Sequence, residues 1–409
     1  MTPYDIVPVR RLLSLATAHP GRNGLSVYAS VMTNRAFDVG GSVASEHRDR
    51  IRRAAAAAAE RGVDALLITP SPDYAYLLGY RAPAMERLTC LVVPADGEPT
   101  LVVPRLEEPL ARHELGALAD EVALVAWDET EDPIRIVQRL VGSALRVAVQ
   151  DQMWARFALR LSAALDPAQV VEAGHTMSAL RRVKSADEVA ALRAAASAAD
   201  RAMLAITAER LSGRTELEVA RHIRELLLEA GHDTAEFAIV ASGPNAASPH
   251  HVPGDRVIAA GDAIVLDIGG TVDGYCSDTS RTAFVGEPPP EFAALYEVLR
   301  QAQRAACDAV RPGLPAAELD AVARDMIAEA GYGEAFLHRT GHGIGMETHE
   351  EPYIVSSNPE PLVAGNAFSV EPGIYIRDAW GARIEDIVIC TDAGGERLNT
   401  SSTDLYLVE

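Results

Sequence analysis

The sequence predicts an α+β protein in which a smaller α/β domain precedes a larger domain built on a largely antiparallel sheet. Three observations support this prediction. At 409 residues, 48% of them hydrophobic, the chain has enough apolar residues for two cores. Short apolar runs alternate with helical patterns in the first half, which is typical of an α/β domain. Beyond about residue 175, amphipathic helices lead into long strand-like runs, which is typical of an α+β domain.

The first domain is predicted over residues 46–170. Residues 1–45 show little hydrophobic periodicity, and we expect them to form a weakly ordered extension. An alanine-rich pattern over residues 46–61 predicts a helix, and VDALLITP predicts a buried strand after it. The runs LTCLVVP and PTLVVP predict two more strands, joined by the turn ADGE. Asp166-Pro167 breaks the last helical pattern of this part.

The second domain is predicted over residues 175–409. Ser185 and Glu188 have the spacing of a capping box at the start of a long helix. Thr215 is expected to cap a second helix, which Gly231 ends. The strand-like runs that follow, with two further helices among them, are FAIVASG, DAIVLDIGGTVDGYCSDTSRTAFVG, NAFSVEPGIYI and ARIEDIVIC.

The composition of the chain limits the kinds of molecule that it is expected to bind. With 37 basic and 58 acidic residues the formal net charge is −21, which disfavours binding to nucleic acid and to anionic membrane surfaces. The sequence has no apolar run of the length that a membrane span needs. Its four cysteines lack C-x-x-C spacing, so neither a disulfide framework nor a structural zinc site is expected, and a cytoplasmic location is predicted.

The segment HRTGHGIGMETHE, residues 338–350, gathers three histidines around three glycines. The glycines make a helix costly here, so we expect a loop. In such a loop the glycines let the backbone come close to another group, and the imidazoles point at it.

Two acidic residues interrupt apolar strand sequence in AIVLDIGGTVDGYCSDTSRT. Asp267 follows Ile-Val-Leu, and Asp278 is expected in the strand after a turn at Asp273-Gly274. An isolated buried carboxylate costs several kcal/mol or is neutralised, so something must compensate each of them. For a single such acid, a strand that ends in solvent is the favoured explanation; for the pair it is not.

Glu371 in FSVEPGIYI and Glu385 in ARIEDIVIC show the same anomaly. Four carboxylates that enter apolar strands need more positive charge than the surrounding sequence supplies. Two divalent metal ions would supply it, and His342 in the glycine segment is a natural nitrogen ligand. The sequence therefore predicts a metal centre.

These motifs, D-x-G-x(8)-D from Asp267 to Asp278, TGHGIG with His342, EPG with Glu371 and R-x-E-D from Arg383 to Asp386, together resemble the pita-bread metallopeptidases. That family includes the methionine aminopeptidases, aminopeptidase P and prolidase, and the resemblance covers roughly residues 175–409. It implies a pita-bread catalytic domain. The leader domain is similar to the creatinase N-terminal domain, as in prolidase and aminopeptidase P; creatinase itself shares the fold without the metal ligands.

The resemblance also implies a role for each ligand. Asp267 would bind one metal ion, Asp278 and Glu385 would bridge both ions, and His342 and Glu371 would complete the second site.

Further residues receive roles from the same resemblance. Glu371 would move a proton, while His250 in SGPNAASPHH and His349 in THEEP would orient the scissile group and stabilise the tetrahedral intermediate. Arg383 is expected to share a strand face with a ligand and to pair with a carboxylate there. His338 either contacts substrate or hydrogen-bonds within its loop. His251, next to His250, is expected to be solvated.

The function implied is hydrolysis of Xaa-Pro peptide bonds by two divalent ions, manganese first, with cobalt or zinc as substitutes. Among the possible functions, that of a prolidase-like Xaa-Pro dipeptidase is favoured. Aminopeptidase P or a non-peptide amide hydrolase is the alternative within the enzyme class. A peptide-binding pita-bread module is the non-enzyme alternative, which the intact ligand set disfavours. A homodimer is expected, with the leader domain covering the site from its own chain or from the partner.

Overall fold

The computed structural model describes residues 41–409, with side chains from Ser45 onward, so the predicted extension over residues 1–45 lies almost entirely outside the described part. The helices of that part are, in chain order, α1 (Gly41–Glu60), α2 (Pro72–Leu78), α3 (Glu108–Leu115), α4 (Pro133–Val141), α5 (Ala155–Leu165), α6 (Gly174–Arg181), α7 (Ala186–Thr207), α8 (Glu216–Glu229), α9 (Pro290–Ala309) and α10 (Ala316–Glu329). Of these helices, none combines the length and the apolar character that crossing a membrane requires.

The first sheet has the strand order β4-β3-β2-β1-β5-β6. Its strands are β1 (Ala65–Ile68), β2 (Cys90–Pro94), β3 (Thr100–Pro104), β4 (Ala123–Trp127), β5 (Arg146–Val149) and β6 (Gln169–Glu172). The central strand β1 is buried along its whole length because helices cover both faces of the sheet. Successive side chains of a strand alternate between faces, so Leu66 and Ile68 belong to one apolar core and Leu67 to the other. The predicted α/β domain is confirmed.

The second domain contains two five-stranded sheets and a separate hairpin. Its strands are β7 (Thr234–Ser242), β8 (Ala263–Val272), β9 (Tyr275–Cys276), β10 (Thr279–Val285), β11 (Gly341–Gly343), β12 (Glu350–Ile354), β13 (Ala367–Val370), β14 (Gly373–Ile376), β15 (Trp380–Arg383), β16 (Asp386–Thr391), β17 (Gly394–Arg397) and β18 (Tyr406–Val408). One sheet has the order β18-β10-β8-β7, with β9 beside β8, and the other has the order β12-β11-β13-β16-β17.

Pairing in this domain is largely antiparallel, as predicted; β18 lies parallel to β10. Helices α7 and α8 flank the first of the two sheets, and α9 and α10 pack against the second. Capping boxes begin α7 at Ser185 and α8 at Thr215, and Gly231 has a φ of 105° just beyond α8. The α+β architecture and these helix ends are therefore confirmed.

Asp278 was expected within a strand, but it lies in the short gap between β9 and β10. The ladder is interrupted there because the Gly270 N–H donates to the Ser277 hydroxyl at 3.1 Å. Glu371 and Glu385 also lie directly outside strands, after β13 and before β16 respectively. Of the four acids, Asp267 alone sits inside a regular strand, β8.

A buried ion pair joins the two sheets of the second domain. Arg281 on β10 is completely buried, and its Nη2 lies 2.7 Å from Asp386 Oδ1 at the start of β16. Its Nη1 also donates to the backbone carbonyl of Glu385 at 2.6 Å. The other carboxylate oxygen of Asp386 accepts a hydrogen bond from Gln303 and pairs with Arg397. Both oxygens of this carboxylate therefore have partners.

Arg281→Met is expected to lower the free energy of unfolding by about 3–5 kcal/mol, because it leaves a buried acid without its main partner. Urea-induced unfolding measures this loss. The matched control is Arg304→Met, whose exposed pair with Asp308 is worth less than about 1 kcal/mol. Equal losses in the two variants would contradict the role given to the buried pair.

Candidate metal centre

Four carboxylates and one imidazole converge where the two sheets of the second domain meet. Ligand atoms of Asp278, His342 and Glu385 all lie within 4.8 Å of one another. Glu371 Oε1 is 3.3 Å from His342 Nε2, and Asp278 Oδ2 is 3.6 Å from the same nitrogen. The charge of Asp267 acts on Asp278, Glu371 and Glu385, so the fifth residue belongs to the same group. The structure thus brings together all five residues that the sequence singled out as metal ligands.

The two sheets contribute different ligands. Asp267 lies on the central strand β8, and the hairpin that follows returns Asp278 beside it. His342, Glu371 and Glu385 come from β11 and from the ends of β13 and β16 in the other sheet. The Glu385 N–H donates to the Ser280 carbonyl at 3.0 Å and so ties the sheets together at the site.

Three buried carboxylate oxygens of this group have no hydrogen-bond partner among the described residues: Asp267 Oδ1, Asp278 Oδ1 and Glu385 Oε1. A buried acceptor left without a donor is costly, and here three such acceptors face one small volume. Oxygen-rich sites of this kind suit divalent cations. The residues therefore fit the predicted metal ions.

Burial and mutual repulsion oppose ionisation of the acids. Burial, followed by the charges of Glu385 and Asp267, raises the pKa of Asp278 well above its usual value. Burial, followed by the charges of Glu371 and Asp267, does the same to the pKa of Glu385. Burial raises the pKa of Glu371 to about 7. Nearby divalent cations would reverse these shifts and keep the carboxylates ionised.

His342 is held in the neutral form, as a metal ligand would have to be. Burial lowers its pKa to about 3, and the charge of neighbouring His349 acts in the same direction. Its Nδ1 lies 3.1 Å from the Gly343 carbonyl, which can only accept a hydrogen bond, so Nδ1 carries the proton. The lone pair on Nε2 consequently points toward Glu371 and Asp278, as a metal ligand requires.

Among the described residues, Arg383 is the one guanidinium that pairs with an acid of this centre. It is almost fully buried, and its Nη2 lies 2.6 Å from Asp267 Oδ2. Its other nitrogens donate to Ser280 Oγ at 2.9 Å and to Tyr375 Oη at 2.9 Å. A single guanidinium leaves most of the charge of four acids uncompensated.

Two serines orient residues of this group and were not identified from the sequence. Ser280 Oγ donates to Glu385 Oε2 at 2.7 Å. Ser369 Oγ donates to Glu371 Oε1 at 3.3 Å and accepts from the His342 N–H at 3.1 Å. Ser369 lies two positions before Glu371, and a strand places such residues on one face, so its polar side chain was the available signal.

Tyr375 is a third residue that sequence reasoning missed. Its hydroxyl accepts from Arg383 and donates to His338 Nε2 at 2.9 Å. His338 Nδ1 faces the Arg339 carbonyl at 2.8 Å, so both of its ring nitrogens are engaged by protein groups. Burial lowers the pKa of His338 to about 4 and, in spite of Arg383, raises that of Tyr375 to about 12, so both are neutral. This geometry favours the loop hydrogen bond over substrate contact for His338.

His250 and His349 differ from the five grouped residues because both are exposed. The His349 ring centroid lies 4.1 Å from that of His342, which places His349 directly above the buried centre. The charge of His250 contributes to lowering the pKa of both His338 and His349, so it lies on the same side. Within residues 41–409, no hydrogen bond to protein occupies either ring, and both are free to meet a ligand.

Glu216 holds the segment that carries His250. It is fully buried and accepts hydrogen bonds from Ser242 Oγ at 2.8 Å and from Asn245 Nδ2 at 3.0 Å. His251, expected to be solvated, instead places Nε2 2.7 Å from Glu216 Oε2, because the buried carboxylate needs donors. Burial alone would raise the pKa of Glu216, but these donors lower it.

The glycine segment was expected to be a loop, and that is wrong for Gly341–Gly343, which form strand β11 between β12 and β13. A Cβ at Gly341 would lie 1.8 Å from the Ser369 carbonyl oxygen, and one at Gly343 would lie 2.3 Å from the Glu351 carbonyl oxygen. The glycines therefore admit neighbouring backbone, which holds the strand that carries His342.

Both domains are similar to those of known proteins. Residues 190–392 match metallopeptidase family M24, and residues 50–183 match the creatinase/prolidase N-terminal domain. "Probable dipeptidase PepE" of Mycobacterium tuberculosis is 46% identical over 380 residues, which cover 92% of this chain and 99% of the relative.

Solved structures show the same similarity. Dipeptidase PepE from Mycobacterium ulcerans superposes with a TM-score of 0.85 at 47% identity, covering 89% of this chain and 98% of its own. A prolidase from Thermococcus sibiricus gives a TM-score of 0.82 at 36% identity, with 88% and 98% covered. Matches that extend over both domains and nearly the whole length of these relatives show that the chain belongs to metallopeptidase family M24.

Proposed function

We propose that this metallopeptidase hydrolyses Xaa-Pro dipeptides with two divalent metal ions. The ions would be held by Asp267, Asp278, His342, Glu371 and Glu385, with Asp278 and Glu385 serving both. When bound, they supply a Lewis acid for the scissile carbonyl and activate water at neutral pH. Four carboxylates and one imidazole favour manganese, with cobalt or zinc as substitutes. Relatives named dipeptidase and prolidase support this assignment.

Glu371 is proposed to move the proton. The Glu371 side chain is 15% exposed, against 11% for Asp267 and 5% for Asp278. Of these three acids it is therefore the most accessible to solvent. Ser369 fixes one of its oxygens. A carboxylate at the more exposed edge of the proposed ligand group is suited to take a proton from the attacking water and to pass it to the leaving nitrogen.

His250 and His349 are proposed to bind the reacting carbonyl. Both rings are exposed above the centre and carry nitrogens that are free to donate. A donor fixed at the place where negative charge develops lowers the barrier more than it strengthens substrate binding. Arg383, held by Ser280 and Tyr375, is instead proposed to keep Asp267 in position.

The dipeptide assignment depends on one observation, the surroundings of the Arg339 side chain. It is half-buried, its guanidinium carbon lies 4.5 Å over the Tyr353 ring, and no acid among the described residues pairs with it. Its charge nevertheless acts on His342, His349 and Glu371, so it lies beside the centre. A dipeptide carries a carboxylate next to the scissile bond, and arginine is the preferred partner for a carboxylate. We propose that Arg339 binds that carboxylate of the substrate.

The leader domain of the same chain leaves His250 and His349 exposed. A small substrate needs a closed pocket, so we propose a cytoplasmic homodimer in which the leader domain of the partner covers the site.

Metal content tests the ligand assignment. Dialysed, active protein is expected to hold about two ions per chain. Asp267→Ala should keep about one ion and Asp278→Ala fewer, because a shared ligand serves both ions. Elemental analysis measures this, and Glu287→Ala, which removes an exposed acid just beyond β10, is the control. Active protein without metal would refute the centre; equal metal content in the two variants would refute the bridging role of Asp278.

Arg339→Met tests the substrate class. It should lower kcat/KM for an Xaa-Pro dipeptide by about 10- to 100-fold, mostly through KM, because a charge-assisted hydrogen bond is lost. The same dipeptide with an amidated carboxyl end should be cleaved at nearly equal rates by variant and wild type. Arg377→Met, which removes an exposed arginine between β14 and β15, is the control. Equal losses on both substrates would contradict the assignment. Efficient release of the first residue from long Xaa-Pro peptides, without dipeptide turnover, would favour aminopeptidase P.

A further inference from the structure

A largely buried group of charges lies between the leader domain and the residues on either side of His349. We call it the clasp; its members are Asp73, Arg181, Lys184, Glu347 and Glu350. Arg181 Nη1 lies 2.7 Å from Asp73 Oδ1 and 2.7 Å from Glu347 Oε2. Arg181 Nη2 pairs with Glu350 Oε2, and Lys184 Nζ pairs with Glu350 Oε1. Side-chain exposure is 8% for Arg181 and 1% for Lys184.

The clasp connects the leader domain to both sides of His349. Asp73 lies on α2. Arg181 ends α6, which packs on the apolar core of the leader domain and falls within residues 50–183, the part that matches the creatinase/prolidase N-terminal domain. Glu350 directly follows His349, and Glu347 precedes it by two positions. Gln152 of the leader domain adds a hydrogen bond to Glu347 at 2.5 Å. Met346 packs against an apolar core of the leader domain and against one of the second domain. Both ionic and apolar contacts therefore fix the short segment before and after His349.

Gly345 makes room for the clasp. A Cβ at this position would lie 2.6 Å from Glu350 Oε1 and 2.9 Å from Lys184 Nζ. The third glycine of the histidine segment is thus required by the clasp, whereas the first two are required by neighbouring strands.

Stability alone does not account for this cluster. Desolvation of buried ions cancels much of their attraction, and apolar side chains of similar volume often stabilise a protein equally well. Burial would raise the pKa of Glu350, but Lys184 and Arg181 together hold it below its usual value, so the acid stays charged. What such a cluster does supply is a single defined geometry for the backbone that it holds.

We propose that Arg181 is a positioning residue for His349. The His349 ring has no hydrogen bond to protein among the described residues, so its place over His342 follows from the backbone that the clasp fixes on both sides. Through Arg181 the leader domain sets the position of a group that acts in the second domain. This inference rests on the proposed role of His349 at the reacting carbonyl.

A double-mutant cycle in the full-length, manganese-loaded protein tests the proposal. His349→Ala is expected to lower kcat on an Xaa-Pro dipeptide by about 100-fold with the metals retained. Arg181→Gln should lower kcat by roughly tenfold or more, with a smaller change in KM and unchanged metal content. In the His349→Ala background, Arg181→Gln should cause no further loss, because it acts through that ring. Arg181→Lys, which keeps the charge, should recover part of kcat.

The control is Arg182→Gln, which removes the neighbouring arginine, whose guanidinium pairs with Glu360 instead. Losses that multiply in the double variant would overturn the inference and leave the role of His349 intact. If His349→Ala keeps full activity, the proposed role of His349 fails instead. If Arg181→Gln does not fold, Glu347→Gln replaces it; this acid is 25% exposed and loses only one contact to Arg181. The smaller loss of kcat expected for Glu347→Gln must also vanish in the His349→Ala background. If the two losses of kcat multiply instead, the inference is overturned.

Discussion

Asp267, Asp278, Glu371 and Glu385 bring four acidic groups into one buried volume, and Arg383 is the one guanidinium among the described residues that pairs with any of them. Such a group is stable only with added positive charge or with bound protons. Because the acids come from two different sheets, the same electrostatic requirement governs how those sheets meet. The Arg281–Asp386 pair and the Glu385 backbone bond hold the sheets at the distance that the centre needs.

Around this centre the side chains divide into two kinds. Ser280, Ser369, Tyr375 and Arg383 are buried, and they use their hydrogen bonds to orient the ligands. In contrast, three exposed or half-buried side chains have neither a hydrogen bond nor an ion pair with the part of the chain that the structure describes, and they remain available to a substrate; these are His250, His349 and Arg339. The division follows from chemistry, since an orienting group must be saturated by protein whereas a substrate-binding group must not be.

The buried cluster of acids was predictable from the sequence because acids stand out in or beside apolar strand sequence, as Asp267 and Glu385 do plainly. Helix ends marked by Ser185 and Thr215 were predictable because caps are local. The role of the glycines was not predictable from the sequence. Gly341 and Gly343 are compatible with either a loop or a strand, and only the neighbouring backbone decides between the two. Arg181 and Glu350 lie 169 positions apart, so no local pattern connects them. His251 was mistaken for a solvated residue because Glu216, its partner, lies in a distant helix.

The stability of the protein with and without metal, measured against pH, tests the central claim most directly. Burial and neighbouring charges raise the pKa of Asp278 and Glu385 above 3.8 and 4.5, and burial raises that of Glu371 to about 7. Without metal, these three acids therefore bind extra protons in the folded protein, and their contribution to stability is full at low pH and is lost as pH rises toward and beyond 7. Bound divalent ions keep the acids ionised and remove this loss. The difference in Tm between manganese-loaded and chelator-treated protein should accordingly widen between about pH 5 and about pH 8. A difference that stays constant or narrows over that range would contradict the account.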